Sequence, residues 1–268
     1  YFDNVRFCLY AGVSYRHCLI CHNRTLDVGT LTPPHDITGK KIAKYIPTAE
    51  NARPLLEMMK KSCELLANHP INIERVKKGL NPANAVWFWG EGVRKPLASF
   101  KDKFGLNASM ISAVDLLKGI GKFSGMHVVN VEGATGYLDT NFEGKAEAAA
   151  KEFAAGSDFV YVHIEAPDEC GHRHEIQNKV KAIELIDQKV LAPLIEALKA
   201  YGEYRIMILP DHPTPLALRT HTNDPVPYLI YDSRVRKNGV DCFCEETAKQ
   251  TGIYVPTGHT LIDKFIKG

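Results

Sequence analysis

The sequence predicts an α/β protein with a mostly parallel sheet and helices on both of its faces. From about residue 96 onward, apolar runs of strand length alternate with segments whose apolar positions follow helical spacing. That alternation is typical of a parallel sheet covered on both sides. Residues 1–95 lack it and are expected to form a smaller, mixed α/β lobe. The predicted domains are therefore 1–95 and 96–268, hinged near residues 90–96.

The first lobe is predicted to begin with strands and continue with helices. Residues 5–22 are expected to form two strands with a turn between them, and residues 32–36 a proline-containing loop. Apolar positions at helical spacing predict a helix over residues 49–68, which residues 72–79 would extend. The apolar run AVWFWG, residues 85–90, predicts a buried strand.

The second lobe is predicted to alternate strands and helices up to its end. The predicted strands are residues 108–114, 126–131, 159–166, 205–210 and 227–232. The predicted helices are residues 101–104, 114–121, 141–155, 174–200 and 258–267. We expect the helix over residues 114–121 to end at its glycines, because glycine commonly follows the last helical residue.

Composition limits the possible classes of protein. The chain has 268 residues, of which 45% are hydrophobic and 24% charged, as in ordinary globular domains. Its net charge of +2 implies no general attraction to nucleic acid or to an anionic membrane. Seven cysteines, an odd number, without a recognisable signal peptide favour a reducing cytoplasm. The chain opens on Tyr1 rather than methionine, so we expect it to be cut from something longer.

Carboxylate and imidazole residues follow apolar, strand-like runs in the second lobe. In an open α/β sheet, ligands gather beyond the carboxyl ends of the strands. Carboxylate and imidazole groups suit Zn²⁺, Mn²⁺, Co²⁺ or Mg²⁺. Three such groups from separate segments predict a site for two ions rather than one. The residues, within PDECGH, LPDHP and RTHTNDPVP, are Asp168, His172, Asp211, His212 and His221.

The alternative is that these residues serve the fold alone. A single aspartate or histidine at a strand end is more often a cap or a satisfied polar group than a ligand. The adjacent pair Asp211 and His212 is harder to explain in that way, because Pro210 and Pro213 restrict the backbone on both sides. The three groups together favour the metal site.

Several longer motifs resemble one known family. The chain resembles the archaeal-type cofactor-independent (2,3-bisphosphoglycerate-independent) phosphoglycerate mutases, which belong to the alkaline phosphatase-like metalloenzyme superfamily. The motifs of the core are EAPDECGH, LPDHPTP, RTHTNDPVP, GATGYLDTNFEGKA and SAVDLLKGIG, and those of the first lobe are GVSYRH, LTPPHDITGK and NPANAVWFWG. The resemblance implies an alkaline phosphatase-like fold. Residues 1–95 would be part of the substrate-binding insert lobe, and residues 96–268 the C-terminal part of the metal-binding core.

The resemblance also implies an activity and its cofactors. The family interconverts 3-phosphoglycerate and 2-phosphoglycerate through a phosphoserine enzyme, with two divalent cations, here Mn, Zn, Co or Mg. Asp168, His172 and His221 would hold one ion. Asp211 and His212 would contribute to the other.

One part of the family pattern is missing from these residues. The family takes an aspartate and the nucleophilic serine from a segment near its N-terminus, and no matching Asp-Gly-x-x-Asp segment occurs here. We therefore expect the catalytic serine to lie outside these 268 residues, and this piece alone to be inactive.

Substrate binding needs groups that hold a carboxylate and a phosphate. Arginine binds such groups through two parallel hydrogen bonds. The candidates are Arg16 and Arg24, with His35 and Asp36 for the glycerate hydroxyls and Lys145 for the phosphate. The alternative for each cation is a solvated surface charge. We expect a small-molecule phosphoglycerate as the partner, with no nucleic acid and no membrane, and the sequence predicts no oligomeric state.

Two other functions stay open at the level of the sequence. One is a homoserine kinase-like phosphotransferase, or a phosphatase, of the same superfamily. The other is an inactive fragment or remnant that lacks the nucleophile. Conversion of 3-phosphoglycerate without a nucleotide would separate the mutase from the kinase.

Overall fold

The computed structural model describes residues 6–12, 16–22, 27–37, 39–235 and 239–268. The chain divides into two compact units, Tyr1–Lys95 and Pro96–Gly268. Within the described ranges, no helix combines the length and the apolar character that crossing a membrane would require.

The first unit contains a hairpin, two helices and short 3₁₀ turns. Strand β1, Phe7–Tyr10, pairs with β2, Cys18–Cys21, in antiparallel register. Helix α1 is Arg53–Ala67 and α2 is Pro70–Lys77. The 3₁₀ turns of this unit are Pro34–Ile37, Ile42–Lys44 and Glu50–Ala52. The core brings the hairpin, the loop after it and α1 together through Phe7, Val28, Leu31, Ala52, Leu55 and Met58.

The strand that AVWFWG predicts is not formed. Residues 85–90 lie in no ladder, although Val86 and Trp87 are half-buried. The backbone amide of Val86 donates to Ser62 Oγ at 2.8 Å, and Trp87 Nε1 donates to the Thr32 carbonyl at 2.8 Å. The apolar run is thus held by side chains rather than by strand pairing, so the strand prediction is wrong although the partial burial is real.

The second unit contains a parallel sheet and a separate antiparallel pair. The parallel sheet has the order β4-β3-β5, and β6 pairs with β7 in antiparallel register. The strands are β3 Ala108–Ile111, β4 His127–Val129, β5 Phe159–Val162, β6 Arg205–Ile208 and β7 Leu229–Asp232. The predicted α/β class with a parallel sheet is confirmed.

Helices connect the strands from β3 to β6, and further helices precede β3 and follow β7. The helices are α3 Phe100–Phe104, α4 Asp115–Phe123, α5 Phe142–Ala154, α6 Ala166–His172, α7 Ile176–Ile186, α8 Ala192–Leu198, α9 Glu245–Gln250 and α10 Leu261–Lys267. Further 3₁₀ turns are Lys199–Tyr201 and Gly258–Thr260. A core of Phe142, Ala146, Ala166, Ala182 and Val190 joins α5 to α6 and to the helix after it. That core fixes α6 at the carboxyl end of β5, where the predicted ligands begin.

Helix α4 does not end at its glycines, contrary to the prediction. It continues through Gly119 and Gly121 to Phe123, and the positive φ of 71° falls on Gly125. Gly121 is a packing residue: a Cβ there would lie 3.0 Å from the Cβ of Met110. The glycine is needed because the helix lies against the sheet at that point.

The predicted helix over residues 174–200 is not a single regular helix. Helix α7 ends at Ile186, and a π-helical turn at Asp187–Leu191 leads into α8. Pro193 lies in the first turn of α8 and has no N–H to donate to the preceding turn. The π turn therefore lies just before Pro193, where the regular α-helical hydrogen bonding is interrupted.

Candidate metal centre

Helix α6 follows β5 after three residues and carries the first two predicted ligands. Asp168 and His172 are four residues apart, so they lie on the same face of the helix. Cys170 and Gly171 on the same helix are buried, whereas Asp168 and His172 are only partly covered. The helix therefore presents one carboxylate and one imidazole together, while its other residues fix it to the core.

His221 arrives from a distant segment and completes a group of three. Nε2 of His172 lies 3.0 Å from Nε2 of His221. Asp168 lies 3.3 Å from both, through Oδ2 to His172 and through Oδ1 to His221. Among the described residues, this is the group whose ligand atoms all lie within 4.8 Å of one another. Three potential ligand atoms thus face one point.

The hydrogen bonds of His172 decide which of its nitrogens faces that point. Its Nδ1 lies 2.9 Å from the carbonyl oxygen of Arg219, which can only accept, so Nδ1 carries the hydrogen. Nε2 of the neutral ring then presents a lone pair toward Asp168 and His221. A hydrogen on Nε2 of His221 can be donated to only one of two acceptors, Nε2 of His172 or Oδ1 of Asp168, whereas a metal ion would be attracted by all three atoms.

The second predicted pair lies beside the first group. The rings of His212 and His221 have their centroids 3.8 Å apart. Nε2 of His212 lies 3.4 Å from Oδ2 of Asp211, whose side chain is largely exposed. All five predicted ligands therefore lie in one cluster at the surface of the second unit.

Thr214 contacts both Asp168 and His212. Its hydroxyl donates a short hydrogen bond to Asp168 Oδ1 and lies 3.4 Å from Nδ1 of His212. Since that hydrogen is used on Asp168, the threonine oxygen accepts from His212, which leaves Nε2 of His212 free to act as a ligand. The Thr214 carbonyl accepts from Lys179 Nζ at 2.7 Å, and a Cβ at Gly171 would lie 2.6 Å from the same carbonyl. Gly171 and Lys179 therefore hold Thr214 against α6.

Burial lowers the pKa of two histidines in or beside the cluster. Burial, with His212 nearby, lowers the pKa of His221, against the opposing effect of Asp168. Burial also lowers the pKa of His163, whose Nδ1 lies 3.2 Å from Ser112 Oγ. Both shifts favour the neutral imidazole, which is the form that binds a metal.

Lys145 is a buried cation near the same cluster. It lies on α5 with 1% of its surface exposed, and its Nζ donates to the His163 carbonyl at 3.3 Å. Burial lowers the pKa of this lysine to about 8, against the opposing effect of the Glu165 carboxylate. The amine therefore remains charged at neutral pH, at an energetic cost.

The other predicted substrate residues belong to the first unit. Arg16 is exposed just before β2, and Asp36 is exposed in the turn Pro34–Ile37. His35 lies in the same turn, but its side chain lies outside the described residues. Arg24 also lies outside the described residues. The substrate-binding role of these four residues stays a prediction.

The donor set of the cluster fits a divalent ion. Two imidazole nitrogens and one carboxylate oxygen, oriented by a backbone carbonyl and a threonine hydroxyl, match the ligands and supporting hydrogen bonds of protein metal sites. A sequence profile of the Metalloenzyme superfamily matches residues 24–266. The chain belongs to the Metalloenzyme superfamily.

Relatives within this superfamily agree with the resemblance of the motifs. The chain is 45% identical over 261 residues to a probable 2,3-bisphosphoglycerate-independent phosphoglycerate mutase of Geobacter sulfurreducens, covering 97% of the chain and 65% of the relative. It is 43% identical over 267 residues to a 2,3-bisphosphoglycerate-independent phosphoglycerate mutase of Methanosarcina mazei, covering 99% and 66%. The chain thus spans about two thirds of the length of the curated relatives that it matches.

Solved structures support the fold. The PH0037 protein of Pyrococcus horikoshii matches with a TM-score of 0.61 at 35% identity, over 74% of this chain and 52% of that one. The cofactor-independent phosphoglycerate mutase of Thermoplasma acidophilum matches with a TM-score of 0.55 at 22% identity, over 97% and 65%. Together with the superfamily membership, these matches fit the alkaline phosphatase-like fold predicted from the motifs.

Some residues around this candidate metal centre were not predicted from the sequence. Thr214 stands two residues after His212 in LPDHPTP, so a hydroxyl close to a ligand pair was a usable signal. The contributions of Lys179 and of the Arg219 carbonyl had no signal, because both depend on segments brought together by folding. His163 was not among the predicted residues, yet its ring is close enough to Asp211 for that carboxylate to raise its pKa against the larger effect of burial.

Proposed function

We propose that the protein containing this chain interconverts 3-phosphoglycerate and 2-phosphoglycerate by metal-dependent phosphoryl transfer. The relatives described as 2,3-bisphosphoglycerate-independent phosphoglycerate mutases support the reaction. The observation that carries the metal dependence is the convergence of Asp168, His172 and His221. The chain spans about two thirds of those relatives, so the proposal concerns the whole protein.

We propose that the cluster holds two divalent cations. Asp168, His172 and His221 would bind one, and Asp211 and His212 would contribute to the other. Mixed nitrogen and oxygen donors suit manganese, zinc or cobalt, and magnesium is the less suited candidate because it prefers oxygen. Such ions, when bound, lower the pKa of a hydroxyl nucleophile and offset the charge of the transferring phosphoryl group.

The chain's own residues keep the ligands in the form that binds. The Arg219 carbonyl holds the hydrogen of His172 on Nδ1, and Thr214 orients both Asp168 and His212. Preorganised ligands lose less entropy when an ion binds, so these hydrogen bonds would strengthen the site without touching the metal.

We propose that Lys145 binds the phosphate of the substrate. It is a cation that the fold keeps buried beside the ligand cluster, although burial lowers its pKa to about 8. An anionic phosphate would replace the missing solvation of that amine, which supports the assignment. Because little water reaches the amine, the same burial would also protect a phosphorylated enzyme from hydrolysis.

The remaining roles are part of the same proposal. The first unit would be the substrate-binding lobe, with Arg16, Arg24, His35 and Asp36 as the candidate contacts. The nucleophilic serine would come from the part of the relatives' length that this chain does not span. A cytoplasmic location would suit a chain whose seven cysteines are all unpaired.

The experiment is an assay of the natural protein that contains these residues. The protein is stripped of metal with a chelator and reloaded with Mn²⁺, Zn²⁺, Co²⁺ or Mg²⁺ in turn, and ³¹P NMR follows 3-phosphoglycerate without nucleotide or bisphosphoglycerate. We expect 2-phosphoglycerate to form only after reloading. Release of inorganic phosphate alone would indicate a phosphatase, and phosphorylation of homoserine by ATP without isomerisation would indicate a kinase; either result overturns the proposal.

Matched variants connect the activity to the cluster. Asp168→Asn removes a ligand charge with little change of shape and should lower turnover by about 100- to 1,000-fold, as loss of transition-state electrostatic stabilisation does. Asp102→Asn is the control, because Asp102 is exposed in the first turn of α3. Equal activities of the two variants would contradict the role of Asp168.

A further inference from the structure

Two cysteines outside the metal cluster lie close together in the second unit. Cys242 and Cys244 flank Phe243 just before α9, and Cys244 is the residue that precedes the first helical position. Cys242 is exposed and Cys244 is half-buried, and neither is in a disulfide. The two thiols lie near enough for each to alter the pKa of the other.

Thr247 holds both cysteines in this arrangement. Its hydroxyl donates to the Cys242 carbonyl at 2.5 Å and lies 3.3 Å from the Cys244 sulfur. The same hydroxyl also lies 3.3 Å from the Cys244 carbonyl. One side chain in the first turn of α9 therefore fixes the backbone on which both thiols stand.

The pKa values of the two thiols are shifted in opposite directions. The contacts of Thr247, which include its backbone amide, lower the pKa of the Cys244 thiol, whereas the neighbouring Cys244 raises the pKa of Cys242. Thiolate, not thiol, is the nucleophile in disulfide exchange. Cys244 is therefore the better candidate for the attacking residue, and Cys242 for the resolving one. Exposure of Cys242 lets a reagent reach the pair.

We propose that Cys242 and Cys244 form a redox-active dithiol that is reversibly oxidised by small disulfides. The Cys244 thiolate attacks one sulfur of the disulfide, whose S–S bond breaks and releases one thiolate. Cys242 then loses its proton to solvent and attacks the Cys244 sulfur, and the mixed S–S bond breaks to release the second thiolate. Two protein thiols are oxidised to one disulfide, and one small disulfide is reduced to two thiols. This proposal is independent of the proposed function.

Trypsin separates the pair from the other cysteines. Cleavage after Lys237 and Lys249 gives the peptide of residues 238–249, in which Cys242 and Cys244 are the two cysteines. The peptide of residues 62–75 contains one cysteine, Cys63, which is exposed on α1 and serves as the internal control. The 268-residue chain is incubated with 2-hydroxyethyl disulfide, quenched with acid, alkylated with iodoacetamide and digested. This neutral disulfide avoids repulsion by Asp241, Glu245 and Glu246.

We expect peptide 238–249 to lose two hydrogen atoms and to escape alkylation, while Cys63 carries at most one reagent group. Dithiothreitol should restore the alkylation of both cysteines. Formation of the pair's disulfide should be at least about tenfold faster than modification of Cys63, because it begins from a thiol of lowered pKa. Alkylation of both cysteines, or a separate reagent group on each at the rate of Cys63, would overturn the proposal.

Single variants test the order of attack. Cys242→Ser should accumulate a mixed disulfide on Cys244 because no resolving thiol remains. Cys244→Ser should slow modification of Cys242 to about the rate of Cys63. Equal modification rates in the two variants would refute the assigned order. Circular dichroism melts of both variants must match the wild type, since a loosened α9 would expose the remaining thiol for an unrelated reason.

Discussion

Nε2 of His172 lies 3.0 Å from Nε2 of His221. The Arg219 carbonyl accepts a hydrogen bond from Nδ1 of His172. The two Nε2 atoms therefore have at most one hydrogen between them. Asp168 completes the triangle at 3.3 Å from each ring. A site of this kind gains stability from a bound cation, and metal binding should therefore be measurable on the chain itself.

Removal of one ligand should abolish tight binding. Isothermal titration of the metal-free chain with Zn²⁺ or Mn²⁺ is expected to show binding that His221→Ala weakens by at least about 100-fold, because an ion held by three protein ligands loses one of them. His69→Ala is the control, since His69 caps α2 in the first unit. Equal affinities of the two variants would rule His221 out as a ligand.

Thr214 should matter through the ligands that it orients. Thr214→Val keeps the shape but removes the hydroxyl that binds Asp168, and should weaken metal affinity by about 10- to 100-fold. Thr214→Ser keeps the hydroxyl and should stay close to wild type. Competition with a chromogenic chelator measures both. If valine and serine gave the same affinity, the hydroxyl would have no role in orienting Asp168.

Replacing Lys145 should make the protein more stable and less active. At pH 7 both the folded and the unfolded chain carry the charged amine, and the folded state bears the cost of burying it. Lys145→Met removes that cost and should raise the free energy of unfolding at pH 7 by up to about 3 kcal/mol, reduced by the lost hydrogen bond to the His163 carbonyl. Urea denaturation measures the difference, and lower stability of the variant would contradict it.

The pH dependence of the same variant has a definite sign. Between the folded pKa of about 8 and the ordinary value of 10.5, the unfolded chain binds the proton that the folded chain has released. Stability of the wild type relative to Lys145→Met should therefore be lowest below pH 8 and rise as the pH approaches 10. A stability difference that stays constant from pH 7 to about pH 10 would show that the lysine does not titrate there.

Two glycines of α4 should respond in opposite directions to alanine. A Cβ at Gly121 would meet the Cβ of Met110 at 3.0 Å and Val128 Cγ2 at 3.1 Å, whereas Gly119 faces open space. Gly119→Ala should stabilise the chain by about 0.5–1 kcal/mol through helix propensity. Gly121→Ala should lower the free energy of unfolding by about 1–2 kcal/mol, because the strain of overpacking exceeds the gain in helix propensity. Thermal melts of both variants check the signs.

The sequence predicts the candidate metal ligands better than it predicts the residues that hold those ligands in place. Asp168, His172 and His221 are visible because carboxylate and imidazole groups follow strand-like runs, and such groups meet where the strands end. Lys179 and the Arg219 carbonyl act through the folded arrangement alone, and no local pattern marks them.

Two of the wrong predictions about the fold have related physical causes. Residues 85–90 are apolar because they are partly buried, and burial alone does not distinguish a strand from an extended segment held by Ser62 and Thr32. Glycine at position 121 suggested a helix end, because glycine that permits close packing looks the same in a sequence as glycine that permits a turn.

The π-helical turn at Asp187–Leu191 has a consequence for the ancestry of this segment. A π turn closes its hydrogen bonds one residue later than an α-helical turn, as an inserted residue would require. Deleting one residue there would restore regular spacing and rotate α8 by about 100° about its axis. Buried Leu198 would then turn away from its present packing partners. We therefore expect that homologues with this packing keep the length of the turn. Where the turn is shorter or longer, α8 should carry compensating substitutions.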